Sequence, residues 1–211
     1  MSQHHDDFAT EPLPGLPAKP PRGEEILWQG RPAILSLARD ALGLNWVAGY
    51  FVVLALWRAS VVSDGSIGMI IAIMLPYLAM GVVACGILLL SATVQARSTV
   101  YTITTARVAL RVGAALTVTL NVPFKQIGSA SLDLRRSGSG TIALQTLGDT
   151  RLSYLVCWPH VRPWRMGKTQ PALRCIPDAA RVAKILGDAA ETRLNEPVLT
   201  RADAGMVLAA E

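Results

Sequence analysis

Two long apolar runs dominate the first half of the chain and predict a pair of membrane-spanning helices. The first extends over residues 41–62, and the second, over residues 67–94, contains no charged residue. About 20 helical residues cross a bilayer core of about 30 Å, so each run is long enough to span it. Residues 63–66 leave room only for a tight turn between the runs. The pattern therefore predicts a transmembrane hairpin over residues 43–94.

The segment ahead of the hairpin divides into a polar tail and a short amphipathic stretch. Residues 1–23 are rich in proline, glycine and acidic residues, a composition typical of a disordered tail. Residues 24–32 form a strand-like piece, and apolar residues then recur at helical spacing up to Leu42. Over residues 24–42 we therefore expect a strand-like segment followed by a helix at the cytoplasmic interface of the membrane.

Behind the hairpin the apolar periodicity changes from helical to alternating. Six short alternating stretches are separated by turns: residues 99–104, 107–112, 116–122, 129–136, 141–147 and 150–157. In the fourth stretch, Ala130, Leu132 and Leu134 are expected to face the core. An apolar stripe at helical spacing begins at Ala179.

These elements predict a membrane protein in which a transmembrane α-helical hairpin precedes a small α+β domain. That domain is expected over residues 95–194 as an antiparallel barrel or sandwich with a C-terminal helix. Residues 195–211 are expected to form a weakly ordered tail.

Basic residues are concentrated in the predicted domain. Residues 95–174 contain eleven Lys or Arg and two acidic residues, a net charge of +9. The N-terminal flank of the hairpin is basic too, whereas the turn at residues 63–66 has no Lys or Arg. By the positive-inside rule, both termini are expected on the cytoplasmic side of the membrane. A basic surface there attracts anionic lipid, and the membrane tether argues against nucleic acid as a partner.

Residue combinations that support catalysis or metal binding are weak in this sequence. Asp133 and Asp149 are isolated acids, and the spacing of Cys157 and His160 is more often a coincidence than a catalytic dyad. The three cysteines form no CxxC pair or zinc spacing, which fits a reducing compartment. We therefore predict a protein that is not an enzyme and that has no metal site.

A basic and aromatic stretch is the best candidate for contact with a partner or with lipid. Residues 158–168 combine two tryptophans with three cations and cannot form a regular element. The predicted contact residues are Arg135, Arg136, Trp158, Arg162, Trp164, Arg165 and Lys168. Two alternatives stay open: the arginines form a solvated flank of the second span, and the tryptophans pack on the core of the domain.

The strand pattern resembles that of the bacterial pleckstrin-homology (PH) domain found behind paired spans. The resemblance rests on residues 101–108, Gly113 and residues 122–127, preceded by residues 25–32. It implies a fold and no particular function. Phosphoinositide-style recognition would need a basic pocket between the first strands of the domain, where Arg107 and Arg111 alternate with core residues.

A narrower resemblance lies further along the chain. Residues 158–165 and 171–183 resemble the PuhB family of photosynthetic reaction-centre assembly proteins of purple phototrophic bacteria, and the similarity extends over nearly the whole chain. It implies a non-enzymatic factor that helps to build the reaction centre and the core light-harvesting (LH1) ring. Its implied partners are reaction-centre and LH1 polypeptides and membrane lipid, and self-association into a homodimer stays open.

The histidines agree with a factor that has no pigment or other cofactor of its own. Bacteriochlorophyll in a membrane usually needs an axial histidine, and His4, His5 and His160 all lie outside the apolar runs.

The alternative function, from another class, is a generic membrane-anchored PH-like module that binds anionic lipid or another membrane protein.

Overall fold

The computed structural model describes residues 15–16, 18–62, 65–113, 117–135, 138–148 and 152–195. Most of the two predicted tails and Arg136 lie outside these residues. The predicted N-terminal tail nevertheless ends earlier than residue 23. Leu16 is buried, and Gly15 packs so closely on Val100 that a Cβ atom there would meet the valine side chain at 2.5 Å.

The described elements form a helical hairpin and a two-sheet domain. They are β1 (Ile26–Gly30), α1 (Ile34–Asp40), α2 (Leu44–Val62), α3 (Ile67–Ser98), β2 (Val100–Thr104), β3 (Arg107–Val112), β4 (Val118–Pro123), a 3-10 helix (Phe124–Gln126), β5 (Ile127–Leu134), β6 (Gly140–Thr146), α4 (Tyr154–Cys157), β7 (Ala172–Ile176) and α5 (Ala179–Asn195). The first sheet has the strand order β1-β2-β3-β4, the second has the order β5-β6-β7, and all pairings are antiparallel.

Helices α2 and α3 are both long and apolar enough to cross a bilayer. Only 11% and 6% of the residues in their most apolar stretches are buried, so their apolar side chains face outwards, unlike those of a helix in a soluble core. The two helices pack on each other where Gly81 of α3 meets Phe51 of α2. A small residue at this position lets the helix backbones approach closely.

Replacing Gly81 with valine should loosen the hairpin. A Cβ atom at residue 81 would lie 2.8 Å from the Cβ atom of Phe51, so the helices must separate. We expect a loss of about 1–3 kcal/mol in stability, the usual range for overpacking, seen as a lower thermal midpoint in detergent micelles. Gly86→Val is the matched control, because a Cβ atom there meets nothing within 4 Å. Equal midpoints for the two variants would contradict this packing.

The domain core lies between the two sheets and α5. Tyr101, Ile103, Leu110, Leu144 and Leu173 are fully buried in it. Val182 and Leu186 of α5 contribute the apolar stripe that the sequence predicts, so the helix packs on the sheets as expected. This arrangement confirms the predicted PH-like domain of antiparallel sheets with a C-terminal helix.

The domain is not continuous in sequence. Strand β1 lies before the hairpin but pairs with β2, with Gln29 opposite Thr102. The boundary expected at residue 95 therefore leaves out one strand of the first sheet. Alternation in a short segment cannot show which distant strand it joins, which is why the sequence places this piece outside the domain.

Helix α1 connects the hairpin to the domain. Its buried residues, Leu37 and Ala38, face the protein, and Leu37 packs with Ala96 of α3 and Cys175 of β7. The Ala33 amide donates a hydrogen bond to the Cys175 carbonyl at 2.8 Å. The buried face of the predicted interfacial helix is thus occupied by α3 and β7, while its other face, with Leu35, is exposed.

Two details of the predicted strands are wrong. Residues 154–157 of the last predicted strand form the short helix α4, in which the Cys157 amide bonds to the Ser153 carbonyl. The third strand of the second sheet is instead β7, whose apolar pattern is interrupted by a charged residue. Ala130, Leu132 and Leu134 are exposed, so the face of β5 that the sequence predicts in the core is not buried.

Candidate functional site

Arg174 joins three parts of the structure at the end of the hairpin. It lies in β7, all five residues of which are buried, and is itself 6% exposed. Its Nη1 donates to the Pro159 carbonyl and its Nη2 to the Asp40 carbonyl, both at 3.1 Å. These bonds tie the strand to residues 158–170 and to the last residue of α1. Asp40 precedes the first residue of α2 by only four positions.

The guanidinium group of Arg174 lacks a matching negative charge. Both of its bonds go to neutral carbonyls, and no carboxylate in the described part of the chain lies within ion-pair distance of it. Its buried Nε has no hydrogen-bond acceptor among the described residues. A buried cation with an unsatisfied donor is costly unless another group completes it.

His160 lies beside Arg174 in a buried polar network. Its Nδ1 is 2.6 Å from the Tyr101 hydroxyl, and its Nε2 is 3.0 Å from Oγ1 of Thr99. The Tyr101 hydroxyl accepts a bond from the Arg174 amide at 3.2 Å. With that acceptor role filled, the hydroxyl proton points to Nδ1, so the network fits a neutral histidine protonated at Nε2.

Burial keeps this network neutral. It lowers the pKa of His160 to about 3, with a smaller contribution from the positive charge of Arg174. Burial also raises the pKa of Tyr101 well above its usual range. The Cys175 thiol, next to Arg174, has its pKa raised to about 11 by burial, so it is not a reactive thiolate at neutral pH.

A cavity of about 440 Å³ opens between the end of α1, strands β5 and β6 and the segment after His160. Its lining includes Asp40, Ser131, Asp133, Arg135, Thr141, Ala143, Arg162 and Arg174. Among these residues, three guanidinium groups face two carboxylates. Since Arg135 Nε pairs with Asp40 Oδ2 at 2.7 Å, the remaining charges are Asp133 and two arginines. The cavity thus has an excess of positive charge.

Arg162 is the second cation at this cavity whose guanidinium group has only weak hydrogen-bond partners. Its Nη1 lies 3.4 Å from Oγ of Ser131 and 3.3 Å from Oε1 of Gln170, both long for hydrogen bonds. The backbone of Arg162 is well held, because its amide donates to the Gln170 carbonyl at 2.9 Å. The position of the residue is therefore set, while the end of its side chain keeps capacity for a further acceptor.

An exposed aromatic and basic rim continues from the cavity. Pro163 lines the cavity, and the next residue, Trp164, is 89% exposed and has a left-handed backbone conformation with φ of 62°. Arg165 and Lys168 are exposed on the same segment. Tryptophan is enriched at protein and membrane interfaces, so the exposed indole on this basic segment is a candidate contact residue.

The structure brings together some of the predicted contact residues. Arg135 and Arg162 line the cavity, as does Pro163. Trp164, Arg165 and Lys168 are exposed on the segment that follows Pro163. Trp158 is 43% exposed and Trp164 far more, so neither tryptophan is buried in the core of the domain. Whether these residues bind a partner or lipid stays a prediction.

Sequence reasoning missed Asp40 and Arg174. A signal existed for the second of them, because a charged residue between Leu173 and Cys175 interrupts an otherwise apolar stretch. Buried charges in such positions are usually held by specific partners. For Asp40 the sequence has no comparable signal, since it looks like an ordinary helix end.

The alternative basic pocket between the first strands of the domain is not free. Arg107 forms a two-point ion pair with Glu24, with Nε to Oε1 at 2.9 Å and Nη2 to Oε2 at 3.1 Å. Arg111 is buried in β3 at 7% exposure. Phosphoinositide-style recognition by these two arginines would require breaking the Glu24 pair.

Comparison with known proteins identifies the family of the chain. The chain matches the model of the bacterial PH domain family over residues 41–190, and that family is typically non-catalytic. It is 50% identical to an uncharacterised 23.7 kDa protein in the puhA 5′ region of Rhodobacter capsulatus, over 99% of both chains. A structure of a pleckstrin-homology domain protein from Shewanella loihica matches with 13% identity and a TM-score of 0.29, over 44% of this chain and 71% of that one. The chain belongs to the bacterial PH domain family.

Proposed function

We propose that this protein is a non-enzymatic assembly factor for the photosynthetic reaction centre and its LH1 ring. The observation that carries the proposal is the relative encoded in the puhA 5′ region, which aligns with almost the entire chain. Its name supports a role related to photosynthesis. The motifs in residues 158–165 and 171–183, which resemble the PuhB family, support the more specific role in assembly.

The hairpin is suited to contact with other membrane helices. Its outward-facing apolar surface and the close packing at Gly81 support an arrangement in which α2 and α3 cross the inner membrane. The basic residues on both sides of the hairpin support cytoplasmic termini. The basic domain then lies at the cytoplasmic surface. In this proposal the hairpin packs beside the spans of an assembly intermediate, and the domain contacts its cytoplasmic face.

His160, the one histidine among the residues that the structure describes, is unsuited to hold pigment. Both ring nitrogens of His160 are occupied, by Tyr101 and by Thr99, inside the domain. This supports a factor that acts on the complexes without carrying bacteriochlorophyll on this residue.

Purification of the tagged full-length protein from phototrophically grown membranes tests the proposal. In a mild detergent we expect reaction-centre or LH1 polypeptides to co-purify, with near-infrared absorbance from their pigments. A variant with α2 and α3 replaced by an unrelated hairpin is the control, and it should lose these polypeptides. A colourless preparation from membranes that contain both complexes would contradict the assembly role. It would favour a generic membrane-anchored module.

A further inference from the structure

The cavity at the end of α1 has an excess of positive charge, as an anion-binding site does. Its own residues do not supply enough acceptors for the guanidinium groups that line it. Arg174 is nine-tenths buried, lacks a carboxylate partner among the described residues and has an unsatisfied Nε. Arg162 reaches the same cavity with two long hydrogen bonds. A phosphate oxygen accepts charge-assisted hydrogen bonds from guanidinium groups and supplies the missing negative charge.

The position of the cavity indicates where such a phosphate would come from. Asp40, which lines the cavity, precedes Leu44 at the start of α2 by four residues. If α2 spans the bilayer, the cavity lies at the level of the lipid headgroups. Trp164 on the rim fits the same level, because indole rings favour the interface between apolar chains and water.

The size and charge of the cavity fit a lipid headgroup. Its volume of about 440 Å³ accommodates a phosphodiester with a small polar alcohol. Outside the Arg135–Asp40 pair, the lining has two positive charges, on Arg162 and Arg174, and one negative charge, on Asp133. One phosphodiester neutralises the remaining positive charge. Ser131 and Thr141 add hydroxyl groups to the lining.

We propose that this cavity binds the phosphate of an anionic phospholipid headgroup, with Arg162 and Arg174 as its cationic ligands. The proposal rests on the proposed membrane-spanning hairpin, but not on any photosynthetic partner. It is distinct from the first-strand pocket, whose Arg107 is neutralised by Glu24. Lipid bound here would hold the domain in a fixed orientation at the membrane surface.

The test uses the purified full-length protein in maltoside micelles, without photosynthetic complexes. Short-chain phosphatidylglycerol, short-chain phosphatidylcholine and inorganic phosphate are titrated separately, with binding followed by native mass spectrometry. We expect phosphatidylglycerol to bind more tightly than either of the others. Arg162→Gln should weaken it about tenfold or more, the cost of a lost charge-assisted hydrogen bond.

Two further variants separate a defined site from general surface attraction. Ser131→Tyr keeps every charge but fills part of the cavity, and it should also weaken binding of phosphatidylglycerol. Arg165→Gln removes the same charge as Arg162→Gln from an exposed position outside the lining, and it should change binding less than twofold. Circular dichroism of each variant checks that it is folded.

Several outcomes would overturn the proposal. Equal weakening by Arg162→Gln and Arg165→Gln would indicate a diffuse basic surface, and inorganic phosphate binding as tightly as the lipid would indicate a site for a soluble anion. Absence of lipid binding would leave the cavity for an acidic side chain of a partner protein. Since no partner is present, these results are independent of the co-purification experiment, which tests the assembly role alone.

Discussion

Replacing Tyr101 with phenylalanine should destabilise the domain by about 2–4 kcal/mol. The hydroxyl group accepts a hydrogen bond from the Arg174 amide and lies 2.6 Å from Nδ1 of His160. Phenylalanine keeps the packing of the ring but leaves both partners buried without a bond, at about 1–3 kcal/mol each. Urea unfolding of the full-length protein in micelles, followed by tryptophan fluorescence, measures the difference.

Tyr154→Phe is the matched control for this substitution. Tyr154 is partly exposed at the start of α4 and has no described hydrogen bond to its hydroxyl. Its removal should change stability by less than about 0.5 kcal/mol, as for most surface substitutions. If Tyr101→Phe were as mild as Tyr154→Phe, the hydroxyl would not be the link between β2, β7 and His160 that its distances indicate.

This link explains how the hairpin and the domain are held together. Helix α3 ends at Ser98, and Thr99 and Tyr101 directly after it contact His160. Arg174 continues the connection from Tyr101 to the end of α1. Both ends of the hairpin are therefore fastened to the same buried network. Changes at this network should loosen the domain from helices α2 and α3, besides lowering its stability.

The elements with long periodic patterns were predictable from sequence. The apolar runs that became α2 and α3, and the amphipathic stripe of α5, depend on local composition alone. Strands β2 and β3 were also found, because their alternation is bounded by clear turns. The sequence predicts an element correctly where the residue pattern within that element is enough to determine its type.

The errors have a common physical cause, which is that tertiary contacts decide what local patterns leave open. β1 became a strand of the domain only through pairing with β2, more than 70 residues further along the chain. The sequence does not predict β7, because the charged Arg174 makes this buried strand look like a polar segment. In the folded protein Arg174 is buried and donates hydrogen bonds to two carbonyls. Residues 154–157 alternate like a strand but form a helical turn.

The candidate site was predictable only in part for the same reason. The charge and sequence position of Arg135 and Arg162, both visible in the chain, predict them as contact residues. The cavity that unites them depends on Asp40, which lies about a hundred residues away. No pattern in one sequence shows that α1 ends beside β5 and β7.

The stability of the domain should fall as the pH is lowered from 7 to 5, because His160 is buried in its neutral form. Burial lowers the pKa of this imidazole to about 3 in the folded protein, against about 6.5 in an unfolded chain. Below pH 6.5 the unfolded state takes up a proton that the folded state does not, so unfolding becomes more favourable. The expected loss is about 2 kcal/mol between pH 7 and pH 5.

The sign of this effect separates His160 from a histidine that the fold stabilises in its charged form. A histidine stabilised in its charged form would make the domain more stable as the pH falls, whereas His160 faces Arg174, Tyr101 and Thr99 and has no described carboxylate beside its ring. The loss should continue down to about pH 3, where the folded protein also takes up the proton.

His160→Gln isolates the contribution of this residue. Glutamine keeps a donor and an acceptor but does not titrate, so the variant should lack the His160 part of the pH dependence even if it is less stable at pH 7. Urea unfolding at pH 7, 6 and 5 for both proteins gives the difference in slope, which removes the contribution of the acidic residues common to both. A steeper fall in the wild type by about 2 kcal/mol is expected. Parallel slopes would mean that His160 takes up a proton in the folded domain at the same pH as in the unfolded chain. The buried, neutral Tyr101–His160–Thr99 network would then be wrong.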